Sequence, residues 1–199
     1  MVKLDGKLLQ EALQMLGERL RLKEAAPVRL VVCGGSALIA LDLVSRSTID
    51  VDVVAMVSSE GEPLAPVPFP AKLSEALDDV ATLLELPGNW LNNAPSRDSG
   101  GLFQFGLPEG LLERAHRSDF GPHLQVFFID RVDQVFFKVF AAADSMGVHV
   151  DDLIALDPTP EEMEAAARWC MTHDPSVGFR RILKSMFEQL GYGDVAERM

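Results

Sequence analysis

Two aspartates, Asp50 and Asp52, stand at alternate positions of an apolar run that extends from Ile49 to Val54. Alternate residues of a β-strand project from the same face, so the two side chains start about 6.6 Å apart, at about 3.3 Å per residue. Two carboxylates this close repel each other unless a cation lies between them. Mg²⁺ is the expected cation, because it prefers oxygen ligands and often binds one or two carboxylates together with substrate phosphates. The spacing therefore predicts that Asp50 and Asp52 bind Mg²⁺.

Two glycines and a serine precede the aspartates, at the end of an earlier apolar run over residues 31–33. Gly34 and Gly35 have no Cβ, so their backbone can approach a ligand and its amides can bind anionic oxygens. Ser36 would begin the next helix, and its hydroxyl could either cap that helix or contact a phosphate. Glycines also occur in ordinary tight turns, and the aspartates could lie in a loop. Found together in this order, the two motifs favour a metal ion and a phosphate group bound close to each other.

Two basic residues are candidates for contacting the phosphates. Arg46 precedes Asp50 by four residues and is either a salt-bridge partner or a triphosphate contact. Lys138 stands in the strongly apolar segment 132–143, which is long enough for a buried helix. A lysine on a buried helix must reach solvent, an acid or a phosphate. Lys138 therefore either extends to the surface or makes one of those contacts.

These motifs resemble those of a known superfamily. The chain has a Gly-Gly-Ser motif that is followed, after thirteen residues, by an Asp-hydrophobic-Asp-hydrophobic motif. This arrangement is similar to the signature of the polymerase-beta-like nucleotidyltransferases. Residues 46–52 resemble the bacterial minimal and toxin-type group, the AbiEii-like proteins, and residues 137–174 resemble a little-characterised branch of that group. The first motif carries more of the chemistry, and the second is the more specific for the branch.

The resemblance implies a magnesium-dependent nucleotidyltransferase, which moves a nucleoside monophosphate from a nucleoside triphosphate to a protein or RNA acceptor. It also implies a role as the toxin of a toxin–antitoxin pair, with an antitoxin protein as partner. Lys138 matches a lysine that is common in the group, which favours a nucleotide contact. The implied site consists of Asp50 and Asp52 as catalytic metal ligands and of nucleotide-binding residues Gly34, Gly35, Ser36, Arg46 and Lys138.

The sequence departs from the superfamily pattern in one respect. Members often have a third carboxylate on a later strand, beside the pair. The best later strand here covers residues 124–129, and its interior polar residue is Gln125, which has no carboxylate. Asp130, at the end of that strand, could be a metal ligand if the chain turns it inward, and is otherwise a surface acid. This departure leaves a second interpretation open, a catalytically silent binding module of the same fold that acts through a partner protein.

Composition and charge argue against other classes. The net charge of −12 disfavours broad, nonspecific nucleic-acid binding, which needs a basic surface. No apolar run approaches the roughly 18 residues expected of a membrane span, and the N-terminal segment lacks an apolar signal core. We therefore expect a cytoplasmic protein that has no contact with a membrane.

Hydrophobic periodicity predicts an α/β fold with a C-terminal helical region. The resemblance implies that the sheet is a mixed sheet of the nucleotidyltransferase type, flanked by helices. Strands are predicted at residues 28–33, 49–57 and 124–129. Helices are predicted at residues 4–22, 36–44, 71–85, 132–143, 148–156, 160–173 and 176–190. We expect a nucleotidyltransferase-like core at residues 1–145 and a helical region at residues 146–199 that packs on it.

Overall fold

The computed structural model describes residues 2–97 and 101–199. It confirms the α/β fold, with an open mixed sheet of six described strands and a helical C-terminal region. The chain forms two compact units, Met1–Ile129 and Asp130–Met199. The helix predicted at residues 132–143 belongs to the second of these units.

The first unit contains the sheet. Its elements in chain order are α1 (Gly6–Leu22), β1 (Val28–Cys33), α2 (Gly34–Ala40), β2 (Val51–Val57), β3 (Pro63–Leu64), α3 (Ala71–Leu83), β4 (Leu91–Asn92), a 3-10 turn (Ala94–Ser96), α4 (Leu102–Phe105), α5 (Leu111–Arg114), β5 (His116–Asp119) and β6 (Leu124–Phe128). The strand order is β3-β2-β1-β6-β5, and β4 pairs with β2 on the edge that faces away from β1. β1 is antiparallel to β2 and parallel to β6, so the sheet is mixed.

The core of the first unit lies between one face of the sheet and the helices α1 and α3. Both helices have apolar residues at steps of three and four, which form one buried stripe. Leu13 and Leu16 of α1 and Val80 of α3 are fully buried there, beside Leu30 and Val32 of β1. Burying each such side chain stabilises the fold by about 1.5–3 kcal/mol.

The predicted start of the first helix was wrong by two residues, for a local reason. α1 begins at Gly6 because Asp5 caps it, with the Asp5 carboxylate accepting a hydrogen bond from the Leu8 amide at 2.8 Å. Leu4 lies outside the helix and exchanges two backbone hydrogen bonds with Thr48. This bridge holds the segment that leads into β2 against the start of α1.

The second unit is helical. It contains α6 (Arg131–Asp144), α7 (Val148–Leu156), α8 (Pro160–His173), α9 (Val177–Gln189) and α10 (Gly193–Arg198). Sequence periodicity predicted the first four of these helices but missed the short α10. The N-terminus of α8 has a capping box, in which Thr159 and Glu162 each accept a hydrogen bond from the other's backbone amide. Across residues 2–97 and 101–199, no helix combines the length and the apolar character that crossing a membrane requires.

Gly17, in the middle of α1, has no room for a side chain. A Cβ at this position would overlap the carbonyl oxygen of Phe120, a backbone atom that cannot rotate away. We expect Gly17→Ala to lower the free energy of unfolding by about 1–3 kcal/mol, although alanine is the better helix former by about 1 kcal/mol. Thermal unfolding measures the effect. Gly6→Ala in the same helix is the control, because its Cβ would lie 3.6 Å from Ile39; equal unfolding temperatures for the two variants would contradict the prediction.

Candidate metal and phosphate site

The glycine motif and Asp52 meet where β1 ends. An irregularity in the β1–β2 pairing between Val31 and Val32 shifts the register by one residue, so that Cys33 lies opposite Asp52. The turn into α2 therefore passes directly beside this aspartate. Gly34 has a φ of +69°, a conformation that favours glycine, and a Cβ there would lie 3.0 Å from Asp52 Oδ2. The carboxylate thus lies close against a backbone segment that has no side chain.

Arg46 and Thr48 lie against the second glycine of the motif. A Cβ on Gly35 would be 2.9 Å from Arg46 Nη2 and 2.9 Å from Thr48 Oγ1. The Arg46 guanidinium also donates a hydrogen bond to the Ser47 carbonyl at 3.0 Å. The structure therefore brings one of the two predicted basic residues to the glycine turn, close to Asp52.

Asp50 is half-buried just before β2, which begins at Val51 and not at Ile49 as predicted. Its carboxylate accepts hydrogen bonds from two neutral side chains, Thr48 and Asn92, the latter with Nδ2 3.5 Å from Asp50 Oδ2. Burial raises the pKa of Asp50 above its ordinary value of 3.8, although these hydrogen bonds oppose the rise. Ionisation of Asp50 in the folded protein therefore costs free energy, which a bound cation would offset.

Ser36 lies in the first turn of α2, which begins at Gly34 and not at Ser36 as predicted. Its hydroxyl donates a hydrogen bond to the Cys33 carbonyl at 3.3 Å, and the residue is 1% exposed. The hydroxyl therefore stabilises the turn, and contact with a phosphate would require it to exchange this bond. Phosphate binding by Ser36 stays a prediction.

Lys138 and Asp130 belong to the second unit. Lys138 Nζ forms an ion pair with Asp152 Oδ2 at 2.7 Å, and both side chains are nearly fully buried. A buried lysine was expected to reach solvent, an acid or a phosphate, and the ion pair with Asp152 is the second of these. Asp130 caps α6 by accepting a hydrogen bond from the Val132 amide at 3.0 Å. A nucleotide contact for Lys138 and metal binding by Asp130 stay predictions.

Gln125 lies at the end of the sheet that is far from the aspartates. β6 pairs Gln125 with Arg29, and Arg29 Nε donates to Gln125 Oε1 at 3.1 Å. Arg29 precedes Cys33 by four residues, or about 13 Å of strand. The residue of β6 that pairs nearest to the glycine turn is Phe128, opposite Val32. Among the residues that the structure describes, no group of three His, Cys, Asp or Glu is placed to hold a metal.

Asn92 is the site residue that sequence reasoning missed. It lies in the two-residue strand β4, where the register places it opposite Asp52, and its amide also reaches Asp50. It is 7% exposed, and its Oδ1 accepts a hydrogen bond from the Ala94 amide at 2.8 Å. A strand of two residues has no periodicity, so no local pattern could identify it.

Comparison with known proteins provides no family for the chain. No protein-family model, no curated protein and no solved structure matches it. Any functional inference therefore rests on the motifs and on the geometry of the site.

We expect Asp50→Asn to stabilise the protein at neutral pH. The raised pKa means that the folded state favours the protonated acid, so wild-type stability is lost as the pH rises from 3.8 through the folded-state pKa. The variant avoids this loss and should unfold about 1–3 °C higher at pH 7, a small gain because Asp50 is half-exposed. Thermal unfolding between pH 3 and pH 8 measures the difference, which should vanish below pH 3.8. A variant that is less stable than wild type at pH 7 would contradict this.

Removing one charge of the buried Lys138–Asp152 pair should destabilise the protein more than removing both. Lys138→Met takes the cation from a buried carboxylate, at a cost of about 3–5 kcal/mol. Combining it with Asp152→Leu should recover a large part of that loss. Urea unfolding of the single and double variants measures the coupling. Lys7→Met, on the exposed side of α1, is the control and should change stability by less than about 0.5 kcal/mol; additive single-variant effects would refute the prediction.

Proposed function

We propose that this protein is a magnesium-dependent nucleotidyltransferase, which transfers a nucleoside monophosphate from a nucleoside triphosphate to a protein or RNA acceptor. The observation that carries the proposal is the close approach of Asp52 Oδ2 to Gly34, where a Cβ would lie 3.0 Å away. A carboxylate and a glycine turn this close suit a cation and a phosphate bound side by side. Arg46 lies at the same turn. Thr48 also lies against Gly35 and donates a hydrogen bond to Asp50, so Asp50 is connected to the glycine turn through Thr48.

The residues present fit Mg²⁺. Asp50 and Asp52 supply oxygen ligands of the kind that Mg²⁺ prefers. Asp50 accepts hydrogen bonds from Asn92 and Thr48. Both donors are neutral, so they do not compensate the negative charge of Asp50. Bound here, Mg²⁺ would neutralise negative charge on the triphosphate and orient its phosphates.

The protein's own residues would position the triphosphate. The Arg46 guanidinium adds positive charge at the turn of Gly34 and Gly35, where it would attract the phosphate oxygens. Phosphoryl-type transfer depends on positioning and charge stabilisation more than on covalent chemistry by the protein. A small set of residues is therefore sufficient for the proposed reaction.

The alternative function is a catalytically silent binding module that acts through a partner protein. It is favoured by the lack of a three-acid cluster among the described residues and by the neutral amide of Asn92 opposite Asp52. Such a protein would bind a triphosphate without transferring any part of it. A toxin role, with an antitoxin protein as partner and the cytoplasm as location, extends the proposal on the motif resemblance alone.

We expect wild-type protein to bind at least one of the four common nucleoside triphosphates in the presence of Mg²⁺. Asp50→Asn and Asp52→Asn should each weaken binding by at least about tenfold, the loss that even an outer neighbour of a metal ligand causes. Isothermal titration calorimetry measures both effects. Asp42→Asn is the matched control, because Asp42 is exposed in a turn with a φ of 54°, which asparagine tolerates.

Two results would count against the enzyme. If wild type binds none of the four triphosphates with Mg²⁺, or if the Asp50 and Asp52 variants bind as wild type does, the site is not a metal and phosphate site. If binding occurs but α-labelled triphosphate leaves no label on protein or RNA of a cell extract, the binding module is the better description. Label that appears with wild type and disappears with Asp52→Asn supports the transferase.

A further inference from the structure

Asn92 is the buried polar residue of β4 that lies beside the aspartates. The β2–β4 register places it opposite Asp52, and its Nδ2 lies 3.5 Å from Asp50 Oδ2. Its side chain is almost fully buried, so its orientation is fixed by the protein and not by solvent. Asn92 therefore contacts Asp50 through its side chain and is the register partner of Asp52 in the sheet.

The hydrogen bond from Ala94 determines which way this amide points. The Ala94 amide donates to Asn92 Oδ1 at 2.8 Å, so this atom is the carbonyl oxygen and the other is the NH₂ group. The NH₂ group faces Asp50, where it acts as a hydrogen-bond donor. In this orientation Asn92 holds a carboxylate in place and is not itself placed to ligate a cation through oxygen.

We propose that Asn92 is a positioning residue that orients Asp50 and keeps the charge of the site at two carboxylates. The inference rests on the proposed function. Mg²⁺ dehydrates reluctantly and commonly uses one or two carboxylates together with substrate phosphates. A site with two carboxylates binds a bare cation weakly and leaves ligand positions for a triphosphate. A third carboxylate at position 92 would bind the bare cation more tightly, because affinity rises with the number of charged ligands.

Two substitutions of Asn92 distinguish this role from a purely structural one. Asn92→Asp keeps an acceptor for the Ala94 amide and replaces the NH₂ donor with a carboxylate oxygen. Asn92→Ala removes both groups. If Asn92 only stabilises the turn at Ala94, Asn92→Ala should weaken the site, and Asn92→Asp, which retains the acceptor for the Ala94 amide, should change cation affinity no more than Asn93→Asp does. If it sets the charge and orientation of the site, their effects on cation affinity should have opposite signs.

The experiment is a titration of the full-length protein with Mn²⁺, without nucleotide, followed by electron paramagnetic resonance. We expect Asn92→Asp to bind Mn²⁺ at least about tenfold more tightly than wild type, since affinity follows ligand charge. Asn92→Ala should bind it about 10–100-fold more weakly, the loss typical of an outer partner of a ligating carboxylate. Asn93→Asp is the matched control. This substitution adds the same charge one residue further along the chain, where the Asn93 side chain contacts the Pro66 carbonyl at 2.7 Å and not the aspartates. It should change the affinity for Mn²⁺ by less than about threefold.

The failure of this inference is distinguishable from failure of the proposed function. Substitutions of Asn92 that shift affinity in the same direction, or an Asn92→Asp change no larger than that of Asn93→Asp, overturn the role of Asn92. Mn²⁺ binding that is unchanged in Asp50→Asn and Asp52→Asn overturns the metal site itself. If Asn92→Ala does not fold, Asn92→Asp still decides, because it retains the bond to Ala94: tighter binding supports the inference, and unchanged or absent binding overturns it.

Discussion

The candidate site depends on the antiparallel pairing of β1 with β2 and on the irregularity within that pairing. Upstream of it, Leu30 pairs with Met56 and Val31 with Ala55; downstream, Val32 pairs with Val53. Without this one-residue shift, the same alignment would place Cys33 opposite Val53. A shift of one residue exchanges the two faces of a strand, so the irregularity decides that the glycine turn meets a carboxylate. Bulges of this kind are frequent beside functional sites.

Charge is the second constraint on the site. Asp50 is partly buried, and its hydrogen-bond donors, Thr48 and Asn92, are neutral. Neutral donors orient the Asp50 carboxylate without cancelling its charge, so they would not oppose the binding of a cation. Burial without a fixed counter-charge costs stability, and sites that bind ions or substrates commonly carry such a cost. The β4 segment contributes here by placing Asn92 beside both aspartates.

In the second unit, charged side chains are paired with partners of opposite charge. Its buried lysine, Lys138, is paired within the unit with Asp152, and Arg131 bonds to Glu162 and to the carbonyls of Leu156 and Asp157. Arg131 thereby joins the start of α6, the end of α7 and the start of α8. The ion pair gives Lys138, which sequence alone left open between structural and phosphate-binding roles, an acidic partner within its own unit. The observed partners of Lys138 and Arg131 give the unit a specific arrangement of its helices.

The sequence by itself determined the fold class, the three long strands and most helices, because burial of an apolar face imposes a period of two or of about 3.6 residues. It also indicated Gly34, Gly35, Asp50 and Asp52 as a group, since their chemistry is local. The tertiary structure alone decided how β1 and β2 are paired, that Asn92 adjoins the aspartates, and that Gln125 does not. These three features depend on which strands become neighbours and on the register of their pairing. The hydrophobic period of a single segment encodes neither the neighbours nor the register. The hydrogen bond of Ser36 to Cys33 and the ion pair of Lys138 with Asp152 were likewise decided by three-dimensional packing, because a buried polar group takes whichever partner the surrounding structure provides.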